Sequence, residues 1–413
     1  MTGQTDLRLL ADLLDTGGDM PIGMGGVPTA HEVRALVARG HEVSLVTLDP
    51  TISEEIVLRG PGLTVHVGPC RPRHAVRTLH RAERRYLAST IRALRPDVVH
   101  AHWTYEYALA ALDVGAPVVV TIHDAPLRVV RWNLPRHGAG GARRRLARTA
   151  HWILKASMAW RVARRSTVNI AVSPHTRDHF ERVMRCRGEI ETIPNLMGIS
   201  PWPTSEQSEP LGWDPEARPF RCAAVLGTWG ELKNATTLLR AFALTRTSGV
   251  DARLLLVGID FGPGGEADRW AHRHGLAEDV EFLGPLTNTA VLELLSTSDL
   301  LVHPSREEAC GMVITEAQLC STAVIGGSTS GGVPWTLGYG IAGVLVDIES
   351  AESLADAILE LARDHDRRAE LARAGHFLAL RRHEPDVVTD RLESVLQRAI
   401  DRSGAAPQRG TGP

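Results

Sequence analysis

Short apolar runs alternate along the chain with segments whose apolar residues recur at helical spacing. The runs are continuous and rich in Val and Ile, as in strands that are buried on both faces of a parallel sheet. In the first half of the sequence they predict strands at residues 7–10, 43–48, 63–67, 98–100, 118–122 and 168–172. Strands that alternate with helices in this way are typical of parallel sheets with right-handed crossovers.

A break in this pattern divides the chain. Residues 198–219 contain five prolines and have no helical period, which predicts a linker. The alternation then resumes, with strands predicted at residues 222–226, 254–257, 280–283, 300–303, 323–325 and 343–346.

The pattern therefore predicts an α/β protein of two doubly wound Rossmann-like domains that face each other across a cleft. We place the N-terminal domain at residues 1–200 and the C-terminal domain at residues 217–384. A helix at 385–402 follows the second sheet and is expected to pack back on the N-terminal domain. Residues 403–413 are rich in Gly, Pro and polar residues, which predicts a disordered tail.

Composition excludes several classes of protein. The 413 residues include 46 Lys and Arg against 48 Asp and Glu, so the basic surplus typical of nucleic-acid binding is missing. The five cysteines form no Cys-x-x-Cys pair, which argues against a disulfide framework or a structural zinc site. The most apolar stretch, 114–122, is shorter than the about 18 residues of a membrane span, and we expect a cytoplasmic protein.

Candidate chemistry lies where strands of the second domain end, because open parallel sheets bind ligands outside the carboxyl ends of their strands. The strand at 300–303 is followed by Glu308 and by a helix that begins near Gly311 and carries Glu316. The N–H groups of that helix start could bind anionic oxygens, and the carboxylates could accept hydrogen bonds from sugar hydroxyls. A second glycine-rich loop, 326–332, could surround a phosphate. The alternative is a solvated helix beside a flexible loop.

The sequence PSREEACGMVITEA, residues 304–317, resembles the signature of the family 4 (group 1) glycosyltransferases, which have the GT-B fold. In that pattern Pro-Ser is followed by a Glu, two residues, a Gly, and a second Glu eight positions after the first. The segments GGVPTAHEVRALVARGHEV, DVVHAHWTYEYALAAL and LGTWGELKNATTLLRAF also resemble family segments, in the family's order. The resemblance covers nearly the whole chain.

The resemblance implies a retaining enzyme that moves a sugar from a nucleoside diphosphate to an acceptor hydroxyl on a polysaccharide, glycolipid or natural product. By the family pattern Glu316 would bind the ribose hydroxyls, Glu308 the donor sugar and Lys233 the diphosphate. The family implies no metal ion and no cofactor beyond the nucleotide-sugar substrate. The donor-binding candidates of the second domain are Lys233, Gly311, Glu316, Gly331 and Gly332.

In the first domain the resemblance implies that His123 reaches the donor sugar and that Gly25 and Gly26 line the opposite wall of the cleft. His123 and Glu308 are thus the catalytic candidates. Taken by themselves, His123 could be a hydrogen-bonded structural residue and Lys233 a surface lysine. We interpret His100 and His102, at another strand end, as structural.

Two positions depart from the family pattern. Thr228 stands where the family usually has an Arg that contacts the diphosphate, and Trp335 stands where it often has Glu. Arg306 is a possible substitute cation by position. These departures keep open a catalytically impaired homologue that binds a sugar nucleotide. A pyridoxal-phosphate phosphorylase on the same fold would need a Schiff-base lysine, and neither Lys155 nor Lys233 has a suitable context.

The segment 125–177 has 12 Arg and Lys residues and no Asp or Glu. Its helical part interleaves Trp152, Ile153 and Trp160 with basic residues. It is either a solvated basic face or a surface for peripheral contact with an anionic acceptor or the inner face of an acidic membrane.

Overall fold

The computed structural model describes residues 1–15, 20–71, 76–133, 142–198 and 218–404. The chain divides into two compact units. The first unit comprises Met1–Ile199 and His383–Pro413, and the second comprises Ser200–Arg382. Most of the predicted linker and most of the predicted tail lie outside the described residues.

The first unit is an α/β structure with mostly parallel strands. Its described strands form two ladders, in the orders β1-β3-β2 and β4-β5-β6-β7. Buried Val, Leu and Ile side chains on both faces of these strands make the core. The strands are β1 (Val43–Asp49), β2 (Ile56–Gly60), β3 (Leu63–Pro69), β4 (Val99–His102), β5 (Val118–Ile122), β6 (Val168–Ala171) and β7 (Glu189–Thr192). The helices are α1 (Val27–Ala38), α2 (Arg81–Leu94), α3 (Glu106–Leu112), α4 (Pro126–Asn133), α5 (Ala142–Arg165) and α6 (Pro174–Asp178).

The prediction of a strand at residues 7–10 is wrong, because these residues belong to a 3₁₀ helix, Leu7–Leu13. Leu7 and Leu10 are three residues apart and both fully buried, and residues at that spacing lie on one side of a 3₁₀ helix. Thr2 takes the place in the sheet instead. It forms parallel bridges to Val46 of β1 and Ala101 of β4, and so connects the two ladders.

One strand departs from the parallel arrangement that the alternating pattern predicts. Strand β2 was not predicted, and it pairs antiparallel with β3. Only a two-residue turn, Pro61 and Gly62, separates the two strands, and a connection that short can join only antiparallel neighbours. Its exposed positions alternate with half-buried ones, and its apolar run, Ile56 to Leu58, has only three residues.

The second unit is a parallel sheet of six strands in the order β10-β9-β8-β11-β12-β13. The strand order reverses between β8 and β11, which are neighbours in the sheet although β9 and β10 separate them along the chain. The strands are β8 (Phe220–Gly227), β9 (Ala252–Gly258), β10 (Val280–Gly284), β11 (Leu300–His303), β12 (Ala323–Gly327) and β13 (Val344–Val346). The helices are α7 (Ala235–Thr247), α8 (Glu266–Arg273), α9 (Asn288–Ser296), α10 (Met312–Leu319), α11 (Val333–Thr336), α12 (Ala351–Arg363) and α13 (His365–Arg382).

The last helix, α14 (Pro385–Gly404), belongs to the first unit although it follows the second in sequence. Val388, Leu392 and Val395 are buried in the same core cluster as apolar residues of α1. Arg39, just after α1, forms ion pairs with Asp386 and Asp390 at 3.0 and 2.6 Å. Apolar burial with these exposed ion pairs fixes α14 on the first unit.

Within the described part of the chain, no helix is both long enough and apolar enough to cross a bilayer.

Candidate functional site

The candidate site of the second unit lies where the strand order reverses, the place at which open α/β sheets bind ligands. Lys233 follows β8 and Glu308 follows β11. Because those strands are neighbours, the two side chains meet, and the Lys233 Nζ donates to Glu308 Oε1 at 2.6 Å. His303, the last residue of β11, places its Nε2 3.3 Å from the same carboxylate oxygen.

This cluster sets the charge of Glu308. Burial by itself raises the pKa of a carboxyl group, but the Lys233 ammonium and His303 outweigh it and hold the pKa of Glu308 well below its usual range. Glu308 is therefore a carboxylate at neutral pH, beside a cation that an anionic ligand could also contact.

Glu316 has a different environment. It lies in α10 with 8% of its surface exposed, and Asn288 Nδ2 donates to its Oε1 at 3.0 Å. Burial raises its pKa from the ordinary 4.5 to about 7, although the hydrogen bond from Asn288 acts in the opposite direction. A partly protonated carboxyl of this kind, at the ligand-binding edge of a sheet, is a functional-site candidate.

Gly311 and the 326–332 loop require glycine for steric reasons. Gly311 caps the N-terminus of α10 and has a φ of +70°. Residues other than glycine rarely adopt this left-handed backbone conformation. Gly332 N–H donates to the carbonyl oxygen of Glu308 at 2.8 Å. A Cβ at Gly331 would lie 2.4 Å from that same oxygen, and a Cβ at Gly332 would lie 1.9 Å from the Ala309 oxygen. The two loops are therefore packed backbone to backbone.

In the first unit, the structure places His123 just after β5 and beside His102, the last residue of β4. His123 Nε2 and His102 Nδ1 share a hydrogen bond of 2.9 Å. The Trp103 ring lies 4.5 Å from the His123 ring, measured between centroids, and Trp103 adopts φ +61°. Such a backbone conformation is rare for a bulky residue and occurs more often than elsewhere at functional sites. Burial, with a smaller effect of His102, lowers the pKa of His123 well below its usual range, so its ring is neutral.

Gly25 and Gly26 directly precede α1, and both have a positive φ, +78° and +93°. A Cβ at Gly26 would lie 2.0 Å from the Gln4 carbonyl oxygen, whereas a Cβ at Gly25 would meet nothing within 4 Å. Packing thus requires glycine at position 26, whereas at position 25 only the backbone conformation favours it.

The structure also shows the contacts of Arg306, the candidate substitute cation, and of Trp335, one of the two departures from the family pattern. The guanidinium of Arg306 forms two hydrogen bonds to Glu349, of 2.6 and 2.7 Å, and contacts Glu231. Its charge is therefore balanced by carboxylates of its own unit. Trp335 carries the Arg382 guanidinium 3.9 Å above its ring centroid, a close cation–π contact.

Three contact residues of these sites were not predicted from the sequence as site residues: Asn288, His303 and His102. His303 directly precedes the Pro-Ser pair of the signature, and that position could have indicated it. His102 was placed at a strand end by the sequence but was interpreted as structural. Asn288 contacts Glu316 from a neighbouring helix, α9, and the local sequence gives no signal for that contact.

Two family models match the chain, one in each unit. The model described as Glycosyltransferase Family 4 matches residues 26–197, and the model described as Glycosyl transferases group 1 matches residues 219–376. Among curated proteins, the chain is 32% identical over 198 residues to the D-inositol 3-phosphate glycosyltransferase of Stackebrandtia nassauensis. That match covers 45% of this chain and 44% of the relative, so it spans less than half of the relative's length.

Solved structures are similar over most of the chain. Sucrose-phosphate synthase from Thermosynechococcus elongatus superimposes with a TM-score of 0.71 at 18% identity, covering 92% of this chain and 95% of that one. Anabaena HepE in complex with UDP and glucose gives a TM-score of 0.59 at 22% identity, with coverages of 81% and 86%. The predicted fold of two Rossmann-like domains is confirmed.

Proposed function

Because the chain belongs to the family 4 (group 1) glycosyltransferases of the GT-B fold, we propose that it transfers a sugar from a nucleoside-diphosphate donor to an acceptor hydroxyl, with retention at the anomeric carbon. The observation that carries this proposal is the contact of Lys233 with Glu308 where the strand order reverses. A cation and a carboxylate at this place match a ligand that combines a diphosphate with sugar hydroxyls.

We propose a front-face displacement. The bond between the anomeric carbon and the diphosphate oxygen breaks, and the acceptor oxygen bonds to that carbon on the same face. The departing diphosphate oxygen takes the proton of the acceptor hydroxyl. Lys233 and the N-terminus of α10, where Gly311 lies, would stabilise the charge on the leaving diphosphate, and this makes a metal ion unnecessary.

The remaining candidates bind the donor in this proposal. Glu316 accepts hydrogen bonds from the ribose hydroxyls, and Glu308 contacts the sugar. Gly331 and Gly332 let the backbone approach the donor closely. From the first unit we propose His123 as a hydrogen-bonding partner of the sugar, with Gly25 and Gly26 as close backbone neighbours of the donor.

The proposal is tested by mixing the purified chain with a panel of nucleoside-diphosphate sugars and of acceptors that carry hydroxyl groups. The right donor stabilises the native state by about 2.7 kcal/mol at 100 times its Kd, which raises the melting temperature. Release of nucleoside diphosphate should follow, and EDTA should not change its rate. If no sugar nucleotide stabilises the chain or is consumed, the proposed function is wrong.

A second candidate function is a sugar-nucleotide-binding homologue with impaired catalysis. It is favoured by Thr228 at the position of the family's arginine, together with the carboxylates that balance Arg306. A donor that raises the melting temperature while no diphosphate is released, with any acceptor of the panel, would select this function over the first.

Gly331→Ala should weaken donor binding, since the added Cβ would meet the Glu308 carbonyl oxygen at 2.4 Å and displace the loop that carries Glu308. A displacement of ~1 Å at a reacting centre can also reduce activity by about 100-fold. Donor affinity is measured by the shift in melting temperature, and activity by the release of nucleoside diphosphate. Gly264→Ala is the matched control, because Gly264 has a similar φ of +69° but open space around its Cβ position. Equal donor affinities of the two variants would contradict the proposed role of the loop.

We also propose that the basic segment 125–177 contacts an anionic surface, either the acceptor or the inner face of an acidic membrane. Helices α4 and α5 leave apolar side chains exposed beside the basic ones: Leu127 is 44% exposed, Ile153 53% and Trp160 52%. The Arg164 guanidinium lies over the Trp160 ring. Apolar side chains between arginines are the pattern of interfacial helices.

Trp160→Ser is expected to reduce binding to vesicles of phosphatidylglycerol at low salt, and added salt should weaken binding of the unsubstituted chain. Ile341→Ser in the second unit, where Ile341 is 76% exposed, is the control for loss of an exposed apolar side chain. Co-sedimentation measures both. Failure of the unsubstituted chain to bind such vesicles would exclude the membrane as the anionic surface.

A further inference from the structure

A row of buried polar side chains connects α1 to His123 within the first unit. Glu32 of α1 and His100 and His102 of β4 are 7%, 2% and 0% exposed. His100 and His102 are two residues apart on a strand, so they lie on the same face and both meet Glu32. His100 Nε2 contacts Thr121 Oγ1 at 2.7 Å, and His102 Nδ1 contacts His123 Nε2 at 2.9 Å.

One carboxylate oxygen lies at the centre of this row. Glu32 Oε2 is 3.3 Å from His100 Nδ1 and 3.3 Å from His102 Nε2. None of these three buried atoms has a hydrogen-bond partner of good geometry among the described residues. The amino group of Met1 also acts on both histidines, but burial lowers its pKa to about 5, so it is neutral at pH 8. Next to a buried carboxylate oxygen, a ring nitrogen is more stable with its proton than with its lone pair.

The positions of the protons follow from this preference. A neutral imidazole has one N–H and one lone pair. If His102 carries its proton on Nε2, facing Glu32, then its Nδ1 has the lone pair and must accept the hydrogen bond from His123. His123 is then the donor at Nε2, and its Nδ1 has the free lone pair. By the same reasoning His100 is protonated at Nδ1 and accepts from the Thr121 hydroxyl.

We propose that Glu32 is a positioning residue that fixes the tautomer of His123 through His102, so that His123 presents Nδ1 as a hydrogen-bond acceptor for a hydroxyl of the donor sugar. This inference rests on the proposed function for the sugar contact, but the tautomer itself does not depend on it. Three elements, α1, β4 and β5, hold the row in place, and each contributes a buried member.

Burial supports the assignment. It raises the pKa of Glu32 to about 7, with His100 acting in the opposite direction, so the carboxyl is mostly ionised at pH 8. Burial lowers the pKa values of His100 and His102 to about 3, so both rings stay neutral. At pH 8 Glu32 therefore carries the one negative charge of the row. The histidines are all neutral, and each is characterised by which of its ring nitrogens carries the proton.

The test is a long-range proton–nitrogen NMR spectrum of the full chain labelled with ¹⁵N-histidine at pH 8, in which His123→Asn identifies the His123 signals. We expect a protonated Nε2 and an unprotonated Nδ1 at His123. In Glu32→Gln the His123 signals should shift toward a mixture of tautomers. Glu83→Gln is the matched control, because Glu83 is also a buried glutamate of the first unit, 2% exposed, and contacts Arg71 instead; it should leave the spectrum of His123 unchanged.

Kinetics give a second measurement. Glu32→Gln should lower kcat/KM for the donor about tenfold, the factor expected for loss of one hydrogen bond of ordinary strength. Glu83→Gln should not lower it. An unprotonated Nε2 at His123 in the unsubstituted chain overturns the inference whether or not the variant folds or any donor is consumed.

Elemental analysis tests whether Glu32, His100 and His102 bind a metal ion instead. The ligand atoms of Glu32, His100 and His102 all lie within 4.8 Å of one another, close enough to hold a metal ion. One equivalent of a divalent metal in the purified chain, lost in Glu32→Gln, would overturn the inference, since the three atoms would then be ligands. Absence of bound metal, together with the expected tautomer, supports it.

Discussion

Lys233→Ala should reduce kcat/KM for the donor by about 10- to 150-fold, the effect of losing a charge-assisted contact of about 1.5–3 kcal/mol. Lys233 is the cation that touches Glu308, at 2.6 Å, so its removal takes a positive charge from the place proposed for the diphosphate. It also removes the main influence that lowers the pKa of Glu308, which should therefore rise. Release of nucleoside diphosphate at a series of donor concentrations measures the effect.

Two variants separate charge from general damage. Lys233→Arg keeps the cation and should retain more activity than Lys233→Ala. Arg253→Ala removes an exposed ion pair of the same unit, 3.0 Å from Glu281, and should leave the kinetics unchanged. Full activity of Lys233→Ala would show that the site assignment in the second unit is wrong.

The continuous apolar strands were the part of the fold that the sequence predicted best. Strands β5 and β11 have the predicted bounds, because each is a short apolar run buried on both faces. The apolar run at residues 7–10 was wrongly interpreted as a strand, because leucines three residues apart fit a 3₁₀ helix as well as a strand. Strand β2 was missed because its apolar run, Ile56 to Leu58, has only three residues before Arg59 and Gly60. Strand β7 was missed because its single apolar residue, Ile190, lies between two glutamates.

The candidate sites were predictable only as far as they follow strand ends. Lys233 and Glu308 could be placed at the same edge of the sheet, but their contact depends on β8 and β11 being neighbours, which is a property of the strand order. Glu32 had no signal at all. In the sequence it is an ordinary polar residue of an amphipathic helix, and it becomes notable only when β4 places two histidines against it.

The buried carboxyl groups of this chain differ in charge because their partners differ. Glu308 has a cation within hydrogen-bonding distance and stays ionised, whereas Glu316 has only the neutral Asn288. An ionised carboxylate with so little compensation destabilises the folded state. A neutral residue would be more stable at this position, which agrees with the binding role that we propose for Glu316.

Glu316→Gln should therefore weaken donor binding and, at the same time, stabilise the second unit at pH 8. Gln can still accept the hydrogen bond from Asn288, but it has no charge to bury. The rise of the pKa from 4.5 to about 7 corresponds to at most about 3.5 kcal/mol, because one unit of pKa is about 1.4 kcal/mol. For a unit of this size that upper limit corresponds to a melting temperature higher by at most about 7–14 °C.

The sign of the pH dependence distinguishes this explanation from better packing. The folded protein binds the Glu316 proton more tightly than the unfolded chain does, so the unsubstituted protein loses stability as the pH rises from 4.5 to about 7. The advantage of Glu316→Gln should be complete above pH 7 and should shrink as the pH falls toward 4.5. Glu293→Gln, at an exposed glutamate of α9, is the control and should change neither donor affinity nor melting temperature. An advantage that is the same at pH 5 and pH 8 would contradict the buried-charge explanation, and an unchanged donor affinity would remove Glu316 from the proposed ribose site.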